Sequence, residues 1–210
     1  MDARAWDERY AASDLVWSPT PNQFVEAELA TLRPGRAVDL AAGEGRNALW
    51  LASLGWEVTA VDFSLVGLDK GRALQERHPS GRDLHVDWVH ADVLTWEPGP
   101  VPYDLALLAY LQLPADQRRQ AVRRAFTCLR EGGTFLLVAH DATNIAEGTG
   151  GPQDPSVLAT AEEVLGDLDG ERFEVARAER VARTVDPGDD HRGEAARTAW
   201  DSLVRVVRTG

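Results

Sequence analysis

Residues 36–47, RAVDLAAGEGRN, constrain this chain more than any other stretch. Arg36–Leu40 is a short apolar run with β-branched content, the pattern of a buried parallel strand. The small residues Ala41-Ala-Gly43-Glu-Gly45 then turn the chain and let a ligand lie against bare backbone. Residues 47–54 predict a helix, with Asn47 as its N-cap and Gly55 as its stop. Strand, tight turn and helix, in that order, are how open α/β sheets build a site at the carboxyl ends of their strands.

The spacing within the turn narrows the ligand. A dinucleotide fingerprint, G-x-G-x-x-G, seats a pyrophosphate on the helix N-terminus. Here the pattern is D-x-A-x-G-x-G, with an acid closing the strand and no third glycine at the required offset. The stretch resembles the first motif of class I S-adenosylmethionine (SAM) methyltransferases, acidic-x-G-x-G-x-G, with Ala41 in place of the first glycine. That resemblance implies that Asp39, Ala41, Gly43, Gly45 and Arg46 meet the cofactor. The extra methyl of Ala41 is tolerable if its backbone angles stay ordinary.

Composition sets the outer limits. With 210 residues and 44% hydrophobic content, the chain can bury a full core as one domain spanning residues 1–210. The absence of a long apolar run, and a charged start (MDARAWDERY), point to a soluble cytoplasmic protein without a membrane partner. One cysteine, Cys128, excludes an internal disulfide and a cysteine-cluster metal site, and no metal is expected. The balance of 22 basic against 34 acidic residues, net −12, disfavours nucleic acid and favours a small-molecule substrate.

In chain order, residues 1–33 form a leading arm rich in aromatics (Trp6, Tyr10, Trp17, Phe24), with an amphipathic helix over 22–32 capped by Asn22. One reading is a helix packed on the sheet edge. The other comes from the resemblance of the arm to tellurite-resistance and thiopurine methyltransferases, which implies that Trp6, Tyr10 and Trp17 fold over bound SAM. Glu57–Asp62 is the second strand; Asp62 stands where a carboxylate reaches both hydroxyls of a ribose, or where it supports the helix Leu65–Arg77, with Phe63 beside it. The third strand runs out at Asp92-Val93, which the resemblance assigns to the adenine. Residues 103–113 predict a central strand whose end, from Ala109, faces the methyl-transfer space in related enzymes. A helix over 115–130 carries an arginine cluster, either an anion site or a solvated face, and Cys128 packs as a small hydrophobe.

The turn 131–133 leads to a strand over 134–139 ending in His140-Asp141. His140 is the candidate catalytic base, since imidazole accepts a proton near neutral pH; its alternative is to order the next loop. Residues 142–156 read as a substrate-side loop, 157–168 as a helix, and 172–185 with 198–207 as two strands joined by residues 186–193.

The resemblance to class I SAM methyltransferases covers residues 6–208 and implies a Rossmann-like, doubly wound seven-stranded sheet of order 3-2-1-4-5-7-6, antiparallel only through the C-terminal hairpin. It implies in-line transfer from SAM, leaving S-adenosylhomocysteine, to an S, N, O or chalcogen atom of a small molecule, by a monomer or homodimer. If that atom is already an anion, His140, His191 or Arg197 supplies positive charge instead of a base. An NAD(P)-dependent oxidoreductase and a non-catalytic SAM-binding protein are the rival readings.

Overall fold

The computed structural model describes residues 3–16, 20–185 and 197–210. Seven strands form one sheet: β1 (Arg36–Leu40), β2 (Glu57–Asp62), β3 (Val86–His90), β4 (Tyr103–Ala109), β5 (Leu129–His140), β6 (Phe173–Val185) and β7 (Arg197–Arg208). Their order is β3-β2-β1-β4-β5-β7-β6, the order that the resemblance implies. Strands β1 to β5 run parallel; β7 enters antiparallel between β5 and β6. Central strands β1 and β4 are buried on both faces, which is why they read as continuous apolar runs rather than alternating ones.

Among the described residues seven α-helices accompany the sheet: α1 (Ala3–Ala11), α2 (Gln23–Leu29), α3 (Arg46–Ser53), α4 (Leu65–Arg77), α5 (Ala115–Thr127), α6 (Asn144–Glu147) and α7 (Ala161–Gly166). Two apolar layers result. One packs α5 and α7 against β4, β5 and β7 around Phe126 and Phe135; the other packs α2 and α3 around Trp56, Leu105 and Leu136. No described helix is long and apolar enough to cross a membrane.

Local chemistry decides where elements begin and end. Asn22 caps α2 through its side-chain oxygen, which accepts from the N–H groups of Phe24 and Val25, but the helix stops at Leu29 rather than 32. Asn47 does not cap α3. Gly45, in the left-handed region at φ 74°, holds that position, and Asn47 Oδ1 instead accepts the N–H of Asn22 at 2.9 Å. The fourth strand ends at Ala109, since Tyr110 turns out of it with φ 59°. Helix α5 ends at Thr127; residues 131–133, read as a turn, are a bulge within β5 whose register against β4 slips there.

The loop 142–156 is not structureless. It contains α6, pinned by the buried Asn144, whose side chain accepts from Trp200 N–H at 2.7 Å and donates to Gly150 C=O at 2.9 Å. Helix α7 is shorter than residues 157–168, because its start is set by the Thr160–Glu163 capping box. Trp17, His191 and the hairpin turn over 186–193 lie outside the described residues.

The arginines of α5 are engaged, not simply solvated. Arg118 bonds the buried Asp167 at 2.7 Å, Arg123 donates to Asp169 C=O at 2.7 Å, and Arg124 donates to Trp96 C=O at 2.9 Å. They fasten α5 to its neighbours. Burial pushes the Cys128 thiol up to about 12, as befits a packed hydrophobe.

Leu107 lies on β4 with no exposed surface. Leu107→Ala is expected to cost about 2–5 kcal/mol, read as a shifted midpoint in urea with the slope unchanged.

Candidate active site

The carboxyl edges of β1, β2 and β4 meet at a turn held by one side chain. Asp62, the last residue of β2, is buried, and its two carboxylate oxygens accept separate backbone bonds: Oδ2 from Gly43 N–H at 2.8 Å, Oδ1 from Ser64 N–H at 2.7 Å. The first ties down the small-residue turn. The second fixes the corner into α4, where Ser64 is the N-cap. Desolvation raises the Asp62 pKa, while those two N–H bonds work the other way.

Asp39, one strand over, is fully buried beneath the turn. Desolvation first, and then the Asp62 charge, raise its pKa from 3.8 to about 7, and its Oδ2 has no hydrogen-bond partner. Arg46, at the start of α3, faces it. Burial lowers the Arg46 pKa; Tyr110 and Asp39 oppose that shift, while Arg183 adds to it.

The turn is built from left-handed backbone. Gly43 and Gly45 have φ of 57° and 74°, and so does Ala41, at 60°. The condition that Ala41 keep ordinary angles is therefore not met: its Cβ crowds the following carbonyl, at a cost of roughly 1–2 kcal/mol. A Cβ on Gly43 would lie 2.4 Å from the Tyr10 hydroxyl, and one on Gly45 would lie 2.2 Å from the Trp88 ring. The turn accordingly admits no side chains at these two glycines.

Above the turn lies a crevice lined by ten of the residues that the sequence marked: Trp6, Tyr10, Ala41, Gly43, Arg46, Asp62, Phe63, Asp92, Val93 and Ala109. Asp39 and Gly45 sit behind this lining. Helix α1 roofs the crevice, with the rings of Trp6 and Tyr10 5.5 Å apart. Asp7 fastens the roof by accepting from the Ser64 hydroxyl, and Lys70 donates to the carbonyls of Tyr10 and Ser13. Val16 N–H is held by the buried Glu44 carboxylate.

Beyond Tyr110 the crevice opens into a second cavity of about 580 Å³ at the ends of β4, β5 and β6. Arg46, Tyr110 and Gln112 line both spaces. The second cavity is organised by Asp201, a fully buried carboxylate on β7. Its Oδ2 accepts from the Tyr110 hydroxyl at 2.7 Å and from Arg183 Nε at 2.7 Å. Asp201 Oδ1 lies 3.3 Å from His140 Nδ1, within reach for charge attraction but off-angle for a hydrogen bond. Burial raises the Asp201 pKa, but bonds from these neighbours outweigh it and hold the group ionised. The His140 and Tyr110 rings stack with centroids 4.8 Å apart.

Asp201, Arg183 and Arg9 were not singled out from the sequence, whereas Tyr110 and Gln112 belong to the strand end, 109–112, expected to face the methyl-transfer space. Asp201 carried a signal: it is the one acid in the apolar strand TAWDSLVRVV, and an acid in such a run needs partners. His90 and His85 are exposed on the sheet edge, as expected of surface residues.

Two outcomes follow from this geometry. Ala41→Gly relieves a left-handed Cβ and should raise stability by about 1 kcal/mol in thermal melts, partly offset by the freer unfolded chain. Asp39 holds its proton when folded, up to about pH 7, but loses it above about pH 4 when unfolded. Its contribution to stability therefore falls as pH rises through that window. Asp39→Asn should raise the melting temperature of the ligand-free protein by a few degrees at pH 8, and less at pH 5.

Comparison with known proteins agrees with this architecture. Residues 37–133 match the methyltransferase-domain family. A demethylmenaquinone methyltransferase from Clavibacter sepedonicus is 28% identical over 125 residues, 60% of this chain and 47% of that protein. The chain thus spans about half the length of the curated relative it matches. Among solved structures, the N-methyltransferase NodS from Bradyrhizobium japonicum WM9, in complex with S-adenosyl-L-homocysteine, superposes with a TM-score of 0.71 at 18% identity, over 99% of this chain and 98% of that one. TehB from Haemophilus influenzae gives a TM-score of 0.71 at 16% identity, over 90% of this chain and 63% of that one. Domain match and strand order agree: residues 37–133 resemble a methyltransferase domain, and the chain shares the fold of these methyltransferase structures.

Proposed function

We propose that the protein transfers the methyl group of SAM to a nucleophilic S, N, O or chalcogen atom of a small molecule seated between Tyr110 and His140. One observation carries this reading: the crevice over the glycine turn and the cavity at His140 share the walls Arg46, Tyr110 and Gln112. A donor in the first and an acceptor in the second would meet at Tyr110.

The lining suits the cofactor chemically. The Asp62 oxygens each keep a lone pair beyond their backbone bonds, enough to receive ribose hydroxyls. Asp92, at the exit of β3, can accept from an adenine amino group, with the Val93 backbone beside it. The unpartnered Asp39 Oδ2 lies beneath a crevice that would receive a cation, and Trp6 and Tyr10 present rings to it. When bound, SAM supplies an electrophilic methyl and departs as S-adenosylhomocysteine.

The protein's own part is placement and proton handling. Tyr110 and Gln112 form the wall against which an acceptor is oriented, and the arm excludes water. Where the acceptor atom carries a proton, His140 accepts it on Nε2, with the resulting imidazolium stabilised by Asp201, 3.3 Å from Nδ1. Residues 1–33 and 142–156 act in this reading as parts of one domain that shut the donor and acceptor in together.

Five measurements test the reading. S-adenosylhomocysteine should raise the melting temperature and NADH should not; the reverse would end the assignment, and absent turnover of labelled SAM over a panel of small nucleophiles would favour a binding protein. Asp62→Ala should weaken S-adenosylhomocysteine binding by roughly 1.5–3 kcal/mol or more, whereas the exposed Arg119→Ala should change it little. His140→Ala should lower kcat about 100-fold or more with a protonated acceptor and leave cofactor affinity intact. In hydrogen exchange, residues 3–16 should gain protection when S-adenosylhomocysteine is added; equal protection in both states would mark the arm as fixed scaffold.

A further inference from the structure

We propose that Gly151 is a positioning residue for His140: its bare backbone lies on the face of the imidazole and keeps the ring turned with Nδ1 toward Asp201 and Nε2 toward the cavity. The inference rests on the reading of His140 as the group that meets the acceptor, and concerns what holds that group in place.

The contact follows from what a side chain at Gly151 would meet. A Cβ there would lie 3.0 Å from His140 Nδ1, 3.1 Å from Cε1 and 3.1 Å from Cγ. Nearly equal distances from three consecutive ring atoms put that position over the ring face, not at its edge. The Tyr110 ring is a second neighbour, with centroids 4.8 Å apart and 49° between the planes. Together the Gly151 backbone and the Tyr110 ring restrict the plane of the imidazole. Neither contact tells one edge of the ring from the other, because half a turn about the ring torsion keeps the same plane. Asp201 does: its Oδ1 stands 3.3 Å from the buried Nδ1. A carboxylate there favours a proton on Nδ1 and repels a lone pair, which leaves Nε2 as the unprotonated nitrogen.

The loop is built to reach the ring. Gly150 and Gly151 both take left-handed backbone, with φ of 68° and 73°. Asn144, buried to 1% exposure, ties this loop to the strand that carries Asp201: its side chain donates to Gly150 C=O at 2.9 Å and accepts from Trp200 N–H at 2.7 Å. One amide thus joins the sequence neighbours of Gly151 and Asp201, so the cover on the ring face and the carboxylate at its edge share a reference. Around it, Arg180 bonds Thr143 Oγ1 at 2.8 Å and Glu147 Oε2 at 2.6 Å, which fastens α6 to β6.

The two glycines differ in one respect. A Cβ on Gly150 would meet nothing within 4 Å, whereas one on Gly151 would press on the imidazole more tightly than ordinary van der Waals contact allows. Backbone conformation calls for glycine at both positions. Only at Gly151 does His140 call for it as well.

That difference supplies the test. Gly150→Ala and Gly151→Ala each add a Cβ to left-handed backbone and should lower the melting temperature alike, but only the second should move His140. Long-range proton–nitrogen spectra of isotope-labelled protein read the imidazole tautomer, and His140→Ala assigns its signals among the five histidines. At about pH 8.5, above the ordinary imidazole range, the wild type should show His140 with Nδ1 protonated and Nε2 bare. Gly150→Ala should match it, and Gly151→Ala should show shifted His140 signals with the two tautomers mixed. The Gly151 Hα signals should also move downfield when His140→Ala removes the ring current, which carries the test should Gly151→Ala fail to fold. Comparable tautomers in the wild type, identical His140 signals in the two glycine variants, or Gly151 Hα signals unmoved by His140→Ala would overturn the inference. The spectra need no acceptor, so wild-type turnover of labelled SAM by His140→Ala would instead overturn the reading on which it rests.

Discussion

The two backbone bonds accepted by Asp62 are the constraint on which the site depends. A carboxylate buried to 4% exposure needs hydrogen bonds to remain ionised, and here both come from peptide N–H groups that would otherwise be unsatisfied. One holds the turn after β1 in its left-handed course; the other starts α4. Remove the carboxylate, and the floor and one wall of the crevice lose their common anchor. The arrangement also explains the tension at Asp39. A second acid under the same turn is desolvated and repelled by the first, so it stays protonated until about pH 7. Two desolvated acids this close are costly to keep ionised together.

Backbone strain gathers at the same edge. The two non-glycine residues with positive φ among the described ones, Ala41 and Tyr110, end the neighbouring strands β1 and β4. Each costs on the order of 1–2 kcal/mol. Such strain persists where surrounding contacts over-determine it. At Tyr110 those contacts are visible: its N–H still donates to Val138 C=O at 2.7 Å, and its hydroxyl is held by Asp201 and Asn22. The turn takes the ring out of the strand line and sets it against His140, between the two spaces.

Much of this was legible in the sequence, for physical reasons. The strands β1 and β2 and the helix α4 were read with their observed bounds, because continuous apolar runs closed by acids leave little choice of register or face. Most of the crevice lining was legible too, since those residues stand beside the strand ends that the pattern locates. In the cavity beyond Tyr110 only His140 and the strand end 109–112 were. Asp201 is 61 residues beyond His140, and only the antiparallel pairing of β7 with β5 sets them opposite each other. Arg183 and Arg9 likewise come from elements distant in sequence. The lengths of α5 and α7 were overestimated because apolar periodicity extends past the bulged strand that follows α5 and ahead of the capping box that starts α7. Ala41 is instructive: the sequence makes a methyl tolerable there only if the backbone angles stay ordinary, and the dihedral shows that they do not.

The two halves of the site differ in charge in a way that bears on the chemistry. The crevice over the glycine turn is bounded by Asp39, Asp62 and Asp92, and the cavity beyond Tyr110 is lined by Arg9, Arg46, Arg183 and His140. The glycine turn and the left-handed Tyr110 stand between the two spaces, and Asp201 holds Arg183 from below. Helix α1 serves both spaces at once: Trp6 and Tyr10 line the crevice, and Arg9, on the same helix, lines the cavity beyond Tyr110.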